Sequence, residues 1–236
     1  MRVAIVQSCY LPWKGYFDLI HSVDEFILLD DVQYTRRDWR NRNRIKTPSG
    51  PAWLTIPVNS KGRYLYPIKD ITINDPSWSI QHWKTIATNY ARAPHFDRYA
   101  DIFEPLYLEC RETHLSAINQ RWISAICRIL GINTKLSWSM DYRLVSGKTE
   151  RLVEICRQAG ATEYLSGPSA RSYIDARQFA EAGLKLSYFN YSDYPEYPQL
   201  YPPFDHHVSV LDLIFNQGSS ATRYMLSFGP ESAASR

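Results

Sequence analysis

Two adjacent carboxylates, Asp30 and Asp31, close the apolar run Glu25-Phe26-Ile27-Leu28-Leu29. A carboxylate at a strand end can accept a proton from an attacking amine, orient that amine, or hold a ribose hydroxyl or a metal. Successive strand residues face opposite sides, so at most one of the pair shares a face with a given neighbouring loop. A short way on, between Arg36 and Lys46, six cations (Arg36, Arg37, Arg40, Arg42, Arg44 and Lys46) stand against the single acid Asp38. Trp39, Asn41 and Asn43 are interleaved with them. Guanidinium forks match phosphate and carboxylate oxygens bidentately, and asparagine amides add neutral donors. A nucleotide diphosphate, a sugar nucleotide or a coenzyme A phosphate fits such a segment. Basic residues among aromatic ones also suit nucleic acid, but the stretch is short and no second basic run follows, which counts against it.

The remaining chemistry-bearing residues are scattered. Ser166-Gly167-Pro168-Ser169 reads as a strand-to-helix turn whose free N–H groups could cradle an anion. Cys9 lies in the first loop near a helix start, where a thiolate is favoured. His206-His207 precede a helix and could bring an imidazole to a pocket rim, which makes a Cys9–His206 nucleophile pair conceivable. The histidines show no zinc-ligand spacing, and GxSxG, Walker and GxGxxG motifs are absent. No metal is expected, and no cofactor is specified.

Positioning these groups requires a sheet. Residues 2–6 read as a strand, 7–15 as a loop, 16–23 as a helix and 25–31 as a second strand, a βαβ start for a parallel sheet covered on both faces. A basic loop over 35–50 and strands over 52–58 and 68–73 are expected next. Three helices follow at 77–91, 97–110 and 115–130, and no linker sets them apart. The alternation then resumes, with strands at 135–138, 163–165 and 184–191 and helices at 148–159 and 170–182, as in half of a doubly wound sheet. A Pro- and Tyr-rich loop spans 193–204, a last helix 208–216, and the tail from 218 onward reads as loosely held. The expectation is one α/β domain over 1–236 with a helical lobe, an insertion in the middle third, at about 77–130. Ligands of open α/β sheets bind beyond the carboxyl ends of the strands, so residues 7–15, 30–33, 139–141 and 166–169 become the candidate segments.

Composition bounds the rest. The chain has 236 residues, 44% hydrophobic and 22% charged, with a net charge of +3. That excludes disorder and fibrous classes and supplies a real core. No window is long and apolar enough to span a bilayer, and the first residues do not read as a signal peptide, so a cytoplasmic protein is expected. The four cysteines show no disulfide framework. Seven Trp and seventeen Tyr suit polar ligand pockets and interfaces, which leaves room for a homodimer. The segment 36–46 carries a net +5, so the rest of the chain holds 21 Lys+Arg against 23 Asp+Glu. One concentrated anion site on a mildly acidic protein points to a small phosphorylated ligand.

Motifs spread over nearly the whole chain resemble one family. They include Gln7, Tyr10-Leu11-Pro12-Trp13, Gly15-Tyr16-Phe17, Leu29-Asp30-Asp31-Val32-Gln33 and Asn41-Arg42-Asn43-Arg44-Ile45. Others are Leu54-Thr55-Ile56-Pro57-Val58, His82-Trp83-Lys84, Lys148-Thr149-Glu150-Arg151-Leu152, Tyr164-Leu165-Ser166-Gly167-Pro168, Tyr197-Pro198-Gln199 and Asp212-Leu213-Ile214-Phe215-Asn216. Together they resemble the WbqC-like protein family. The resemblance implies bacterial surface-polysaccharide (O-antigen) biosynthesis and transfer of an acyl or aminoacyl group, glycyl for example, onto the amine of a sugar nucleotide. The family motif His-Gln-Pro-x-Tyr-Leu-Pro-Trp meets Val6 and Ser8 here, so its histidine cannot serve as the base. The start of the chain also resembles a Rossmann-like, nucleotidylyltransferase-type fold, with Trp13-Lys14-Gly15-Tyr16 where those enzymes carry HxGH.

The expected site therefore has Asp30, Asp31 and Gln33 as catalytic residues. Gln7, Tyr10, Trp13, Tyr16, Arg36, Arg40, Asn41, Arg42, Asn43, Arg44, Ser166 and Gly167 would bind substrate. The alternatives are a nucleotidyl transferase with an altered site and a non-catalytic module binding nucleotide, RNA or an assembly partner.

Overall fold

The computed structural model describes residues 1–63 and 65–229. Its central element is a five-stranded parallel sheet. Strand β1 (Arg2–Val6) is followed by helix α1 (Lys14–His21) and strand β2 (Glu25–Leu28). A hairpin of β3 (Arg42–Thr47) and β4 (Gly50–Thr55) comes next, then helices α2 (Trp78–Tyr90), α3 (Phe96–Leu108) and α4 (Leu115–Leu130). The chain returns to the sheet through β5 (Lys135–Trp138), α5 (Lys148–Gln158), β6 (Glu163–Ser166), α6 (Ala176–Glu181) and β7 (Lys185–Tyr188), and closes with α7 (Val210–Gln217). The strand order is β5-β2-β1-β6-β7, with every ladder parallel. Numbered within the sheet this is 3-2-1-4-5, the Rossmann-like order, whose direction of winding reverses between β1 and β6.

The pleat sorts the strand residues into two cores. Ala4, Phe26 and Leu28 pack with α1, α4, α7 and the hairpin. Val3, Ile5 and Ile27 pack with Leu152, Ile155 and Cys156 of α5 and Phe179 of α6. Such two-sided burial explains why β1 and β2 read as continuous apolar runs. Helices α2 and α3 belong to the first core through Trp83, Ile86, Tyr90 and Phe103.

Several expectations are corrected. The segment read as a basic loop contains β3, paired in register with β4 from Arg42↔Thr55 to Thr47↔Gly50. Ile68–Asp70 is a 3₁₀ turn where a strand was expected, because Ile68 and Ile71 are buried three residues apart; the isolated bridges Gln33↔Pro67, Val58↔Ile73 and Thr72↔His114 flank it. The helix expected at 170–182 divides into a 3₁₀ turn, Pro168–Ser172, and α6. The tail is tied down as far as it is described. Asp18, buried in α1, accepts the backbone N–H groups of Leu226 (3.1 Å) and Ser227 (2.8 Å). Residues 230–236 lie outside the described residues.

The hairpin is fixed to the body from inside. Ile45 enters the first core, and Lys46, fully enclosed, donates through Nζ to the Pro203 carbonyl and through its backbone N–H to Tyr90 Oη (3.0 Å). Tyr90 and Tyr197 in turn each donate to the buried Asp212 carboxylate at 2.9 Å. Burial pushes the Asp212 carboxyl above its ordinary range, against the pull of Tyr197, Tyr90 and Lys46.

Candidate functional site at the carboxyl edge of the sheet

The loop leaving β1 is held by a buried polar knot. Asp30, completely enclosed just past β2, accepts the Ser8 backbone N–H through Oδ1 (2.9 Å) and the Ser116 hydroxyl through Oδ2. Asn119, one turn along α4, donates from Nδ2 to Ser8 Oγ and to the Arg40 carbonyl, both at 2.9 Å. Burial raises the Asp30 pKa, and hydrogen bonds from Ser116 and Ser8 offset it only partly. Leu11, in the same loop, has φ +45°, a left-handed conformation costly for a branched residue. Asn43 of β3 holds it there by donating to the Leu11 carbonyl at 2.6 Å. Trp13 then folds back over the first turn of α1. Its ring occupies the space where a Cβ on residue 15 would sit, which is why Gly15 is required there.

These contacts enclose a cavity of about 400 Å³ lined by Cys9, Pro12, Trp13, Tyr16, Trp39, Asn43, Tyr191 and His207. It lies beyond the carboxyl end of β1 and next to the winding reversal, since a Cβ on Gly167, just past β6, would touch the Tyr191 ring. Another depression, about 490 Å³, opens at the opposite edge among Met1, Arg2, Asp24 and Glu163, where strands begin. Sheets of this topology bind ligands at the carboxyl edge, so the first is the candidate site.

Behind the cavity wall stands Arg40. It is only 8% exposed, and among the described residues its Nε and Nη1 have no hydrogen-bond partner; Asp38 is the paired acid, at 3.7 Å from Nε. Burial works against its charge, but Cys9, Asp38, Tyr16 and Asp30 around it outweigh that and raise its pKa. Burial also pushes the Cys9 thiol up to about 11, against the lowering pull of Arg40. Cys9 therefore enters the site as a neutral thiol. At the rim, His207 Nδ1 lies 3.3 Å from Asp205 Oδ1, and the same carboxylate oxygen accepts the His207 backbone N–H (2.7 Å). The Asp205 carboxylate thus lies on the Nδ1 side of the imidazole, and Nε2 is the ring nitrogen remote from it.

The residues expected from sequence are dispersed by the fold. Trp13, Tyr16 and Asn43 line the cavity, with Arg40 behind it. Gln7 contributes its carbonyl, which accepts the Tyr16 hydroxyl at 3.1 Å. Ser166 is buried at the end of β6, with Gly167 beside Tyr191. Tyr10 lies wholly in the core, with its hydroxyl between His82 Nδ1 (2.9 Å) and Tyr107 Oη (2.7 Å). Because His82 Nε2 faces the Thr55 carbonyl, Nε2 must carry the proton and Nδ1 accepts from Tyr10; burial lowers this imidazole to about 4, so it stays neutral. Asn41 is occupied by Tyr34 and the Ile56 carbonyl. Asp31 pairs with Arg151 at 3.0 Å and accepts the Ser139 hydroxyl, away from the cavity. Gln33 and Arg36 line a separate crevice with Ser60 and Arg63. Arg42 and Arg44 stand on the hairpin with their guanidinium groups over the Trp53 ring, at 4.2 and 5.8 Å. Of the paired histidines it is His207 that reaches the cavity, while His206 packs edge-on against Phe204.

With this geometry in place, comparison with known proteins fixes the kinship. The WbqC-like protein family matches residues 7–224. The chain belongs to that family. This WbqC-like chain is also 53% identical over 224 residues to a Mycobacterium tuberculosis (strain ATCC 25618 / H37Rv) protein named "Uncharacterized protein Rv1507c", a match covering 95% of the chain and 97% of the relative. No solved structure matches it significantly. Among the described residues, no helix is long and apolar enough to cross a membrane, and no cluster of three or more His, Cys, Asp or Glu side chains could hold a metal ion.

Trp39 and Tyr191 are not among the site residues expected from sequence, and His207 is expected there only as one of a histidine pair able to reach a pocket rim. Tyr191 and His207 flank the Pro- and Tyr-rich loop, whose lack of period was itself a signal of a segment positioned by tertiary contacts. Asn119 and Ser116 were marked only by being polar on the buried face of an amphipathic helix.

Proposed function

We propose that this WbqC-like protein is a transferase that passes an acyl or aminoacyl group, glycyl for example, to the amine of a sugar nucleotide during surface-polysaccharide assembly in the cytoplasm. The observation that carries the reading is the aromatic-walled cavity at the carboxyl edge of the sheet, backed by a buried arginine two of whose nitrogens donate no hydrogen bond among the described residues. Its volume is in the range of small-molecule sites. Trp13, Trp39 and Tyr191 offer flat apolar faces suited to a sugar ring, and Arg40 offers charge to an anionic group.

The chemistry follows from the same residues. The neutral sugar amine attacks the acyl carbonyl, a C–N bond forms, and the bond from the acyl carbon to its carrier breaks. His207 Nε2 takes the proton released by the attacking nitrogen and returns one to the departing carrier. Asp205 orients the imidazole. Asp30 accepts two hydrogen bonds inside the protein, so in this scheme it positions the Ser8–Cys9 loop and takes no proton.

The test is incubation of the protein with nucleotide-linked amino sugars and a set of acyl thioesters and aminoacyl esters, followed by mass spectrometry. The expected product is the nucleotide sugar heavier by one acyl group through an amide. Thermal stabilisation by a nucleoside triphosphate with pyrophosphate release, and no amide, would overturn the reading in favour of nucleotidyl transfer.

A further inference from the structure

The β3–β4 hairpin carries an arrangement that the cavity does not account for. Arg42 and Arg44 alternate on the outer side of β3, and Trp53 lies directly across the ladder from Arg44. Trp39, in the turn before β3, brings its ring to 5.5 Å from that of Trp53, inclined by 37°. Both indoles are open to solvent, Trp39 at 42% and Trp53 at 45%. Among the described residues neither Arg42 nor Arg44 forms an ion pair; Arg42 Nη2 donates to the Arg37 carbonyl, Asp38 lies within electrostatic reach of Arg42, and each arginine has a buried Nε without a hydrogen-bond partner. A cross-strand Arg–Trp pair steadies a hairpin, which explains Arg44 and Trp53. It does not explain Trp39, which belongs to neither strand, nor two adjacent guanidinium groups that form no ion pair among the described residues. Trp39 also walls the cavity, so the shelf and the cavity share an edge.

We propose that this shelf is a nucleoside diphosphate subsite. The base stacks on the exposed Trp39 indole, which Trp53 backs with the Arg42 guanidinium over its own ring; the two phosphates lie against Arg42 and Arg44, and the group attached to the diphosphate enters the cavity past Trp39. Stacking on an indole is tolerant of base identity, and guanidinium forks match phosphate oxygens. The charge distribution favours a short anion over a nucleic acid. Outside residues 36–46 the chain has 21 Lys+Arg against 23 Asp+Glu, so the rest of the protein offers a long polyanion no net attraction. The inference deepens the proposed function, resting on it for what occupies the cavity.

The test measures quenching of tryptophan fluorescence and calorimetric affinity for UDP, GDP, uridine and inorganic pyrophosphate. Comparison is made between the wild type, Trp53→Ala, Trp53→Phe and the double variant Arg42→Gln/Arg44→Gln. UDP and GDP should quench and bind. Trp53→Ala should weaken both by about fivefold or more while leaving pyrophosphate within about twofold, and Trp53→Phe should restore most of the loss. The double arginine variant should weaken diphosphates and pyrophosphate alike by about tenfold or more. Should Trp53→Ala lose its melting transition, Trp53→Phe and the arginine variant decide the matter, since both keep the hairpin's inward residues. Absence of diphosphate binding, or equal affinity in every variant, overturns the subsite. So does an oligouridylate that binds more tightly than UDP and is not displaced by it. The two readings fail separately. Amide formation on a nucleotide sugar that persists undiminished in the arginine variant removes the shelf and leaves the transferase. Diphosphate binding that the variants weaken, with no amide formed from any donor, removes the transferase and leaves the shelf.

Discussion

Replacing Asp30 separates its role as a hydrogen-bond acceptor from its charge. Asp30→Ala strands the Ser8 backbone N–H and the Ser116 hydroxyl in an enclosed site. Each buried donor without an acceptor costs about 1–3 kcal/mol, so the pair costs roughly 2–6 kcal/mol. Against a domain stability of about 5–15 kcal/mol that is a large fraction. Asp30→Asn keeps an oxygen for the Ser8 N–H and turns its amide toward Ser116 Oγ, which can accept. It also removes a charge that burial disfavours, so its cost at neutral pH should stay within about 1 kcal/mol. The pH dependence has a definite sign. The folded carboxyl has a raised pKa, so its contribution is complete below the unfolded value near about 3.9 and is lost as pH rises through the folded value. The amide does not titrate. The stability of wild type relative to Asp30→Asn should therefore decline from about pH 4 upward. Urea unfolding at several pH values, with m checked for constancy, measures all three proteins. An Asp30→Ala cost below about 1 kcal/mol, or a wild-type advantage over Asp30→Asn that grows with pH, would refute the reasoning.

Other perturbations probe the cavity and the first turn of α1 beside it. His207→Gln should lower kcat for amide formation by about 10²- to 10⁴-fold with little change in KM, read by steady-state kinetics. Cys9, its thiol pushed up to about 11 by burial, should react slowly with iodoacetamide at neutral pH. Its labelling, followed by peptide mass spectrometry, should quicken about tenfold per pH unit toward pH 10 and slow when a ligand fills the cavity. Burial lowers Lys14 to about 8, against the pull of Asp18, so between that value and the unfolded value near about 10.4 the unfolded chain binds more protons. Wild-type stability should accordingly rise relative to Lys14→Met across that interval, which denaturant titrations at pH 7.5 and 10 would show.

The sheet was legible because its central strands β1, β2 and β6 are buried on both faces and its strands alternate with helices of clear period. The location of the cavity followed from that topology, and Trp13, Tyr16 and Asn43 are in it. The hairpin was missed because β3, RNRIKT, has a single apolar residue; its inward Asn43 works through hydrogen bonds, a role that hydrophobic patterning does not register. Charge density likewise concealed direction. Arg40, Arg42 and Lys46 lie within a few residues, yet one backs the cavity, one faces solvent and one is sealed beneath the Pro- and Tyr-rich loop. The enclosure of Asp30 depends on Ser116, 86 residues away, and on Asn119, which reaches Ser8 across 111, separations that no local pattern encodes.

The anchoring of the hairpin bears on kinetics. With Ile45 in the core, Asn43 bound to the Leu11 carbonyl and Lys46 bound to Pro203 and Tyr90, β3 has no hinge about which to swing. A ligand resting on its outer side meets a fixed ledge. Association there should follow a single concentration-dependent phase without a later closing step, and departure of product should be timed by the strength of its contacts and by no lid of the hairpin's making.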